Sequence, residues 1–97
     1  MNPITLEEAI PALETNLAPL EETVFNESSR EKSDFMNQPD LLREYKEALI
    51  YRINFTAETI DFIKELQTKY QGNAKLMYLY NRYSDGNRQL RKIYNKL

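Results

Sequence analysis

The sequence predicts an all-α fold, a three-helix antiparallel bundle in which the chain runs up, down and up. Three observations predict it. Apolar residues recur at helical spacing in three segments. The chain has only 2 glycines and 4 prolines, fewer than a many-stranded β protein needs for its turns. Pro39 and Gly72 stand where helices would begin and end. We therefore expect one helical domain over residues 1–97, with helices at about 5–25, 39–70 and 74–97.

The first helix is predicted to begin at Thr5, because Thr5-Leu6-Glu7-Glu8 fits a capping box. Spacings of four and three then alternate between its apolar residues, a heptad pattern of almost three repeats: Leu6, Ile10, Leu13, Leu17, Leu20 and Val24. Pro11 and Pro19 each remove a backbone donor, so we expect a helix that is kinked or broken near Pro19. The alternative is that residues 1–18 are irregular.

The heptad pattern itself has two interpretations. One is a wall of the monomer's own core, and the other is a coiled-coil seam between chains. The two prolines favour packing inside a bundle over a long zipper.

Residues 26–38 are polar and serine-rich, so they are expected to connect the first two helices. Phe35 and Met36 are the apolar residues of this connection, and we expect both to anchor it to the core. Pro39 suits the first position of the second helix. Gly72 suits the residue that follows its end, and Asn73 suits the cap of the third helix.

The second helix, predicted over residues 39–70, is the longest; at a rise of 1.5 Å per residue it would be about 48 Å long. Its apolar residues cover a little over half of the helical circumference, whereas packing on one neighbour needs a narrower stripe. We therefore expect it to contact two neighbours, or one neighbour and another protein chain. Arg52 projects close to the middle of this apolar face. It is expected either to reach an edge or an N-terminal glutamate, or to lie at an interface with a partner.

The third helix raises a question in the stretch KLMYLYNRY, residues 75–83, since its tyrosines and basic residues also suit stacking on nucleic-acid bases. A helical projection places Tyr80 and Tyr83 on the apolar stripe, which predicts that they belong to the core. Tyr78 falls on the polar side with Arg82, Lys92 and Lys96. Residues 84–87 form a turn signal, but the stripe keeps its phase across Gly86, which favours one continuous helix.

Charge is distributed unevenly along the chain. The net charge is −2, but residues 1–40 carry −7 and residues 75–97 carry +5. In an up-down-up bundle the first and third helices are parallel and can be neighbours, so opposite charges would favour their contact. The gradient would act more on helix arrangement than on stability, because an exposed ion pair contributes only about 0–1 kcal/mol.

Several chemistries are excluded by composition. The chain has no cysteine and no histidine, which removes thiol chemistry and the most common general base and metal ligand. We therefore expect no enzyme, no cofactor and no metal site. No apolar run is long enough to span a membrane, and no secretory signal is visible, so we expect a cytoplasmic protein without membrane contact.

These observations favour a non-enzymatic helical protein-protein interaction module, either a homo-oligomer, with a homodimer favoured, or a small accessory subunit of a larger assembly. The residues expected to bind the protein partner are Arg52, Tyr45, Tyr51, Phe55, Met77, Tyr78 and Arg82.

Two alternatives remain open. The basic third helix would bind nucleic acid by pairing cations with phosphates and stacking an aromatic ring on a base, through Tyr78, Arg88, Arg91, Lys92 and Lys96. Against it stands the acidic balance of the whole chain. The second alternative is an inhibitor or immunity-type protein whose acidic N-terminal region, including Glu7, Glu14 and Glu21, covers a basic site on its target.

Overall fold

The computed structural model describes residues 5–97 and contains three long helices. Helix α1 spans Leu6–Glu27, α2 spans Pro39–Lys69 and α3 spans Ala74–Lys96, with a short 3-10 helix at Lys32–Phe35 between the first two. The described residues contain no strand. The predicted all-α, three-helix architecture is confirmed, and the helix bounds agree with the prediction to within two residues. Residues 1–4 of the predicted domain lie outside the described residues.

Helix α1 is continuous through both of its prolines, so of the two predicted outcomes near Pro19, a kink or a break, the break does not occur. Pro11 and Pro19 are exposed, which lets water reach the carbonyl groups that lose their helical donors. Thr5 is the N-cap residue with extended backbone, as predicted, but its side chain forms no capping bond. Its carbonyl oxygen instead accepts from the amides of Glu8 and Ala9, at 3.1 and 2.9 Å.

A tight turn reverses the chain between α2 and α3. Gly72 has φ +78°, a left-handed conformation that glycine adopts without steric cost. The side chain of Asn73 then accepts a hydrogen bond from the Leu76 amide at 3.0 Å, which caps the start of α3. The prediction for Asn73 is confirmed, whereas the C-cap residue of α2 is Tyr70 and Gly72 lies two residues beyond it.

Helix α3 lies between the other two. It runs antiparallel to α2, since the Asn87 amide reaches the Ile53 carbonyl and Lys46 lies 4.8 Å from the Tyr94 ring centre. It runs parallel to α1, since Tyr83 donates to the Leu13 carbonyl near one end and Lys96 donates to the Ser28 carbonyl at the other. The longest helix is the middle one in sequence, but α3 contributes the most buried side chains.

The core is formed by one stripe from each helix. Its buried apolar residues are Ala9, Leu13, Leu17, Leu20, Leu49, Ile63, Leu66, Leu76, Leu79, Tyr83, Leu90 and Ile93. The heptad residues of α1 therefore serve the monomer core. Tyr83 is only 1% exposed, and its hydroxyl donates to the Leu13 carbonyl oxygen at 2.6 Å. Tyr83 of the KLMYLYNRY stretch is thus a core residue, as predicted, and Tyr80 packs partly buried against the same core.

Two features set how closely the helices approach α3. Asn87 is buried and donates to the Ile53 carbonyl at 2.9 Å and to the Thr56 hydroxyl at 2.7 Å, which pins α3 to α2 at mid-length. Gly86 is buried against Leu20 of α1, and an added Cβ would lie 2.6 Å from a Leu20 methyl carbon. Because glycine has no side chain, Leu20 can pack directly against the backbone of α3 at this position.

The connection between α1 and α2 is anchored by Phe35 alone. Phe35 is buried at 8% exposure, but Met36 is 70% exposed, so the prediction that both residues anchor the segment is wrong for Met36. The end of the 3-10 helix accounts for the difference: Phe35 is its last residue, and Met36 follows outside the helix with φ −57° and ψ 130°. A capping box lies at the start of the 3-10 helix. Glu31 accepts a hydrogen bond from the backbone amide of Asp34, and the Asp34 side chain accepts one from the backbone amide of Glu31.

Candidate interaction groove between helices α1 and α2

Helices α1 and α2 both pack on α3 but make little contact with each other. An open groove of about 620 Å³ lies between them. It is mostly apolar, and it is lined by Asn16, Pro19, Leu20, Ala48, Tyr51, Arg52, Phe55, Thr56 and Tyr83. A further hollow of about 430 Å³ continues it towards the start of α1, past Ala12 and Phe62, and shares Asn16, Phe55 and Tyr83 with it. We call the two together the α1/α2 groove.

The α2 wall of the groove is aromatic. Tyr51 is 73% exposed and Phe55 is 50% exposed. They are four residues apart on a helix and therefore lie on the same face, one turn from each other. With Leu41 and Ile50, α2 exposes four large apolar side chains. Single exposed apolar residues are ordinary, whereas a pair of aromatic rings on the wall of a groove is characteristic of a binding surface.

Arg52 lies in the α1/α2 groove and is exposed. Arg52 lies on the same side of α2 as the buried Leu49, Thr56 and Ile63, three residues after the first and four before the second. It is nevertheless exposed, because α1 makes little contact with α2. No carboxylate among residues 5–97 lies within 4 Å of its guanidinium. The groove thus offers one unpaired cation beside two aromatic rings.

The α1 wall includes the buried Ala9, Leu13 and Leu20 and, exposed to solvent, Glu8 and the short side chains of Ala12, Asn16 and Pro19. The last three were not among the predicted partner-binding residues. The signal was present in the sequence: these residues are spaced by four and three, on a line beside the heptad seam. Short side chains on this wall leave room for a bulky element between the helices.

Tyr45 does not line the α1/α2 groove, and its side chain is engaged within the chain. Its hydroxyl donates to Glu27 at 2.6 Å, and its ring centre lies 5.0 Å from that of Phe35. Burial, together with this hydrogen bond to Glu27, raises the pKa of Tyr45 to about 12. The same bond lowers the pKa of Glu27, opposed by burial and assisted by the charges of Arg30 and Arg52.

The remaining predicted partner-binding residues lie on α3 and do not line the α1/α2 groove. Met77 and Tyr78 are exposed near the start of α3. Arg82 forms an ion pair with Glu21 of α1, and its guanidinium lies 5.5 Å from the Tyr78 ring centre. Glu21 favours the cationic form and raises the pKa of Arg82. The structure therefore gathers Tyr51, Arg52 and Phe55 in one site and separates the α3 residues from it.

The residues of the nucleic-acid alternative are spread over α3. Arg88 pairs with Asp85 at 2.7 Å, and Lys96 donates to the Ser28 carbonyl. Arg91 and Lys92 are exposed but project about 100° apart on the helix. Tyr78 and Lys96 are separated by about 27 Å along the axis, at 1.5 Å per residue. These side chains do not form one compact surface, and part of their charge is neutralised within the chain.

The acidic region of the inhibitor alternative is also partly used inside the molecule. Glu21 is bound to Arg82, which realises the predicted attraction between the acidic first helix and the basic third helix. Glu7 and Glu14 are exposed on α1.

Among residues 5–97, no group of three or more acidic side chains is placed to hold a metal ion. None of the three long helices combines the length and the apolar character that crossing a bilayer requires.

Comparison of the chain with protein-family models, with curated proteins and with solved structures finds no match.

Proposed function

We propose that this protein is a non-enzymatic interaction module that binds a helix of a protein partner in its α1/α2 groove. The observation that carries the proposal is the exposed pair Tyr51 and Phe55 beside a groove that the chain's own helices leave open. A helix laid in a groove buries an apolar face with anchors at positions such as i and i+4. Aromatic and arginine side chains are the residue types that contribute most to such interfaces.

The shape of the bundle supports the same proposal. Helices α1 and α2 both pack on α3 and make little contact with each other. A helix in the α1/α2 groove would occupy the place of the fourth helix of a four-helix bundle, in contact with both walls. The short side chains of the α1 wall suit this, because they allow a helix about 10 Å wide to approach.

Site-specific photocrosslinking in the native host tests the proposal. The photoreactive residue p-benzoylphenylalanine replaces Tyr51 or Phe55 in separate variants. Matched controls carry it in place of Phe25 and Tyr78, two aromatic residues that are 82% and 53% exposed outside the groove. We expect a discrete adduct of constant mass from the two groove positions and none from the controls.

A second set of variants checks that the adduct depends on the groove. Ala48→Glu places a charge on the groove lining and is expected to abolish the adduct, whereas Ala57→Glu places the same charge on an exposed position of α2 that does not line it. The proposal fails if Tyr51 and Phe55 give no adduct, or if all four positions give the same adducts.

A further inference from the structure

We propose that the partner helix bound in the α1/α2 groove carries both signs of charge beside its apolar anchors: a carboxylate placed against Arg52, and basic side chains placed against Glu8 and Glu58. This inference rests on the proposed function and names the chemistry of its partner. Its basis is the charge that the groove presents to an occupant, which is positive in the larger part of the groove and negative in its continuation.

The positive charge belongs to Arg52. Among the described residues that line the larger part of the groove, Arg52 is the only charged one, and it has no ion-pair partner among residues 5–97. No acidic residue stands three or four positions from it in the chain. An occupant would bury this guanidinium, and burying a charge without a partner is costly. The occupant must therefore bring an anion.

Glu27 does not supply that anion. The charge of Arg52 contributes to the lowered pKa of Glu27, as the last of its causes. The Glu27 carboxylate, however, is already bound by the Tyr45 hydroxyl at 2.6 Å and by the Arg30 guanidinium at 3.0 Å. The attraction between Arg52 and Glu27 therefore acts at longer range and leaves room for a closer carboxylate.

The negative charge belongs to two glutamates that face the continuation of the groove from opposite walls. Glu8 on α1 and Glu58 on α2 line the same hollow of about 430 Å³, and both are exposed. Neither forms an ion pair with another of the described residues. No basic residue stands three or four positions from either of them in the chain. A partner helix that reaches this hollow therefore meets uncompensated negative charge on both sides.

The positions around α2 show which sides of the partner helix these charges would meet. Arg52 and Glu58 project about 60° to either side of Phe55. Arg52 lies on the side of Thr56, whose hydroxyl accepts a hydrogen bond from Asn87 of α3, so it is nearer the floor of the groove. Glu58 projects away from α3 and lies at the outer rim. The partner carboxylate would thus face inward, and the basic residues would flank the apolar face.

The spacing along α2 then limits the sequence of the partner. Residues 52 and 58 are about 9 Å apart along the helix axis, so the carboxylate and the basic residues of the partner would be separated by about six positions. The two signs also fix the direction of the partner helix, because reversing it would bring its carboxylate to the glutamates and leave Arg52 unpaired. Complementary charges commonly set specificity and orientation in this way.

The test measures binding of three synthetic helical peptides to the purified full chain by fluorescence anisotropy at low salt. The peptides share one apolar face with aromatic anchors and differ at three positions: one on that face near one end, and two that flank it about six residues away. Peptide EK has Glu at the first position and Lys at the other two. Peptide EE has Glu at all three positions, and peptide KK has Lys at all three.

Two protein variants reverse the charges of the groove, R52E and the double variant E8K/E58K. Matched controls make the same charge changes at exposed positions of α1 and α2 that line neither part of the groove, K64E and E7K/D61K. Circular dichroism checks that each variant is helical.

We expect the native chain to bind peptide EK at least about fivefold more tightly than EE or KK, because only EK pairs the charges in both parts of the groove. R52E is expected to bind KK most tightly, and E8K/E58K is expected to bind EE most tightly. The controls K64E and E7K/D61K are expected to keep the native order. These preferences should shrink at about 1 M salt, where the Debye length is about 3 Å.

Three results would overturn the inference: a native chain that binds none of the peptides, a native chain that binds EE or KK as tightly as EK, or charge variants that keep the native order. A variant that binds its new preferred peptide is thereby shown to be folded. These results are distinguishable from failure of the proposed function. If the Tyr51 and Phe55 positions still form their adduct in the host, only the charge assignment ends, whereas absence of any adduct ends both.

Discussion

Gly86 offers a sharp test of the packing between α1 and α3, because two effects of replacing it by alanine have opposite signs. Alanine is favoured over glycine inside a helix by about 1 kcal/mol. At this position, however, the new Cβ would lie 2.6 Å from the Leu20 Cδ2 carbon and 2.9 Å from its Cγ carbon. Leu20 is 5% exposed, so it has little room to move. Overpacking of this kind costs about 1–3 kcal/mol. We therefore expect Gly86→Ala to lower the free energy of unfolding by about 0–2 kcal/mol, the difference between the cost and the gain.

The assay is a double-mutant cycle with Leu20→Ala, followed by urea unfolding. Removing the Leu20 side chain beyond Cβ removes the atoms with which the new methyl group collides. In that background Gly86→Ala is expected to raise the free energy of unfolding by about 1 kcal/mol, the full helix preference of alanine. Gly86→Ala is therefore expected to destabilise the chain when Leu20 is present and to stabilise it when Leu20 is replaced by alanine. The coupling free energy between the two sites is expected to be about 1–3 kcal/mol.

The result that would refute this reasoning is additivity. If Gly86→Ala stabilises the native chain as much as it stabilises the Leu20→Ala variant, then Leu20 does not lie against the α3 backbone at this point. The close approach of α1 to α3 would then be absent, and with it the geometry that holds the two walls of the groove apart.

Two further predictions concern single hydrogen bonds. Tyr83→Phe removes the bond to the Leu13 carbonyl and is expected to lower the free energy of unfolding by about 1 kcal/mol at neutral pH. Because burial raises the pKa of Tyr83 to about 12, the unfolded chain loses this proton at a lower pH than the folded chain, so the native protein loses stability between pH 10 and about 12. Urea unfolding at pH 9 and 11.5 should show a smaller loss for Tyr83→Phe, and an equal loss would contradict the assignment. Asn73→Ala removes the cap of α3 and should cost about 1 kcal/mol, whereas Asn73→Ser should cost much less; equal thermal midpoints for the two variants would show that the cap contributes nothing.

Local signals explain why the elements were predictable from the sequence. Pro39, Gly72 and Asn73 act through their own backbone or through an amide three residues away, so their effect does not depend on the rest of the fold. The burial of Tyr83 was predictable for a similar reason, because its phase on α3 agrees with the leucines on either side.

The groove could not be predicted in the same way. The periodicity of a helix gives the direction in which a side chain projects, but it does not show whether another helix packs against that side. The position of Arg52 on the apolar side of α2 followed from the periodicity, but its exposure did not, because it depends on α1 making little contact with this part of α2. Met36 was misplaced because the 3-10 helix ends at Phe35 and Met36 follows with φ −57° and ψ 130°, a change of backbone conformation that the sequence pattern does not indicate.

The three helices are not held equally firmly, and this has a consequence for local unfolding. Helices α2 and α3 are joined by a tight turn and pinned by Asn87, so together they form a hairpin of short sequence separation. Helix α1 is attached to that hairpin mainly along α3, with the bond from Tyr45 to Glu27 near its end as a tie to α2. Detachment of α1 would leave the hairpin paired, so amide hydrogens of α1 should exchange with solvent before those of Leu79 and Leu90 in α3. A partner helix bound between α1 and α2 would connect α1, the least firmly held helix, to the α2–α3 hairpin. Occupancy of the groove is therefore expected to slow the exchange of amide hydrogens in α1.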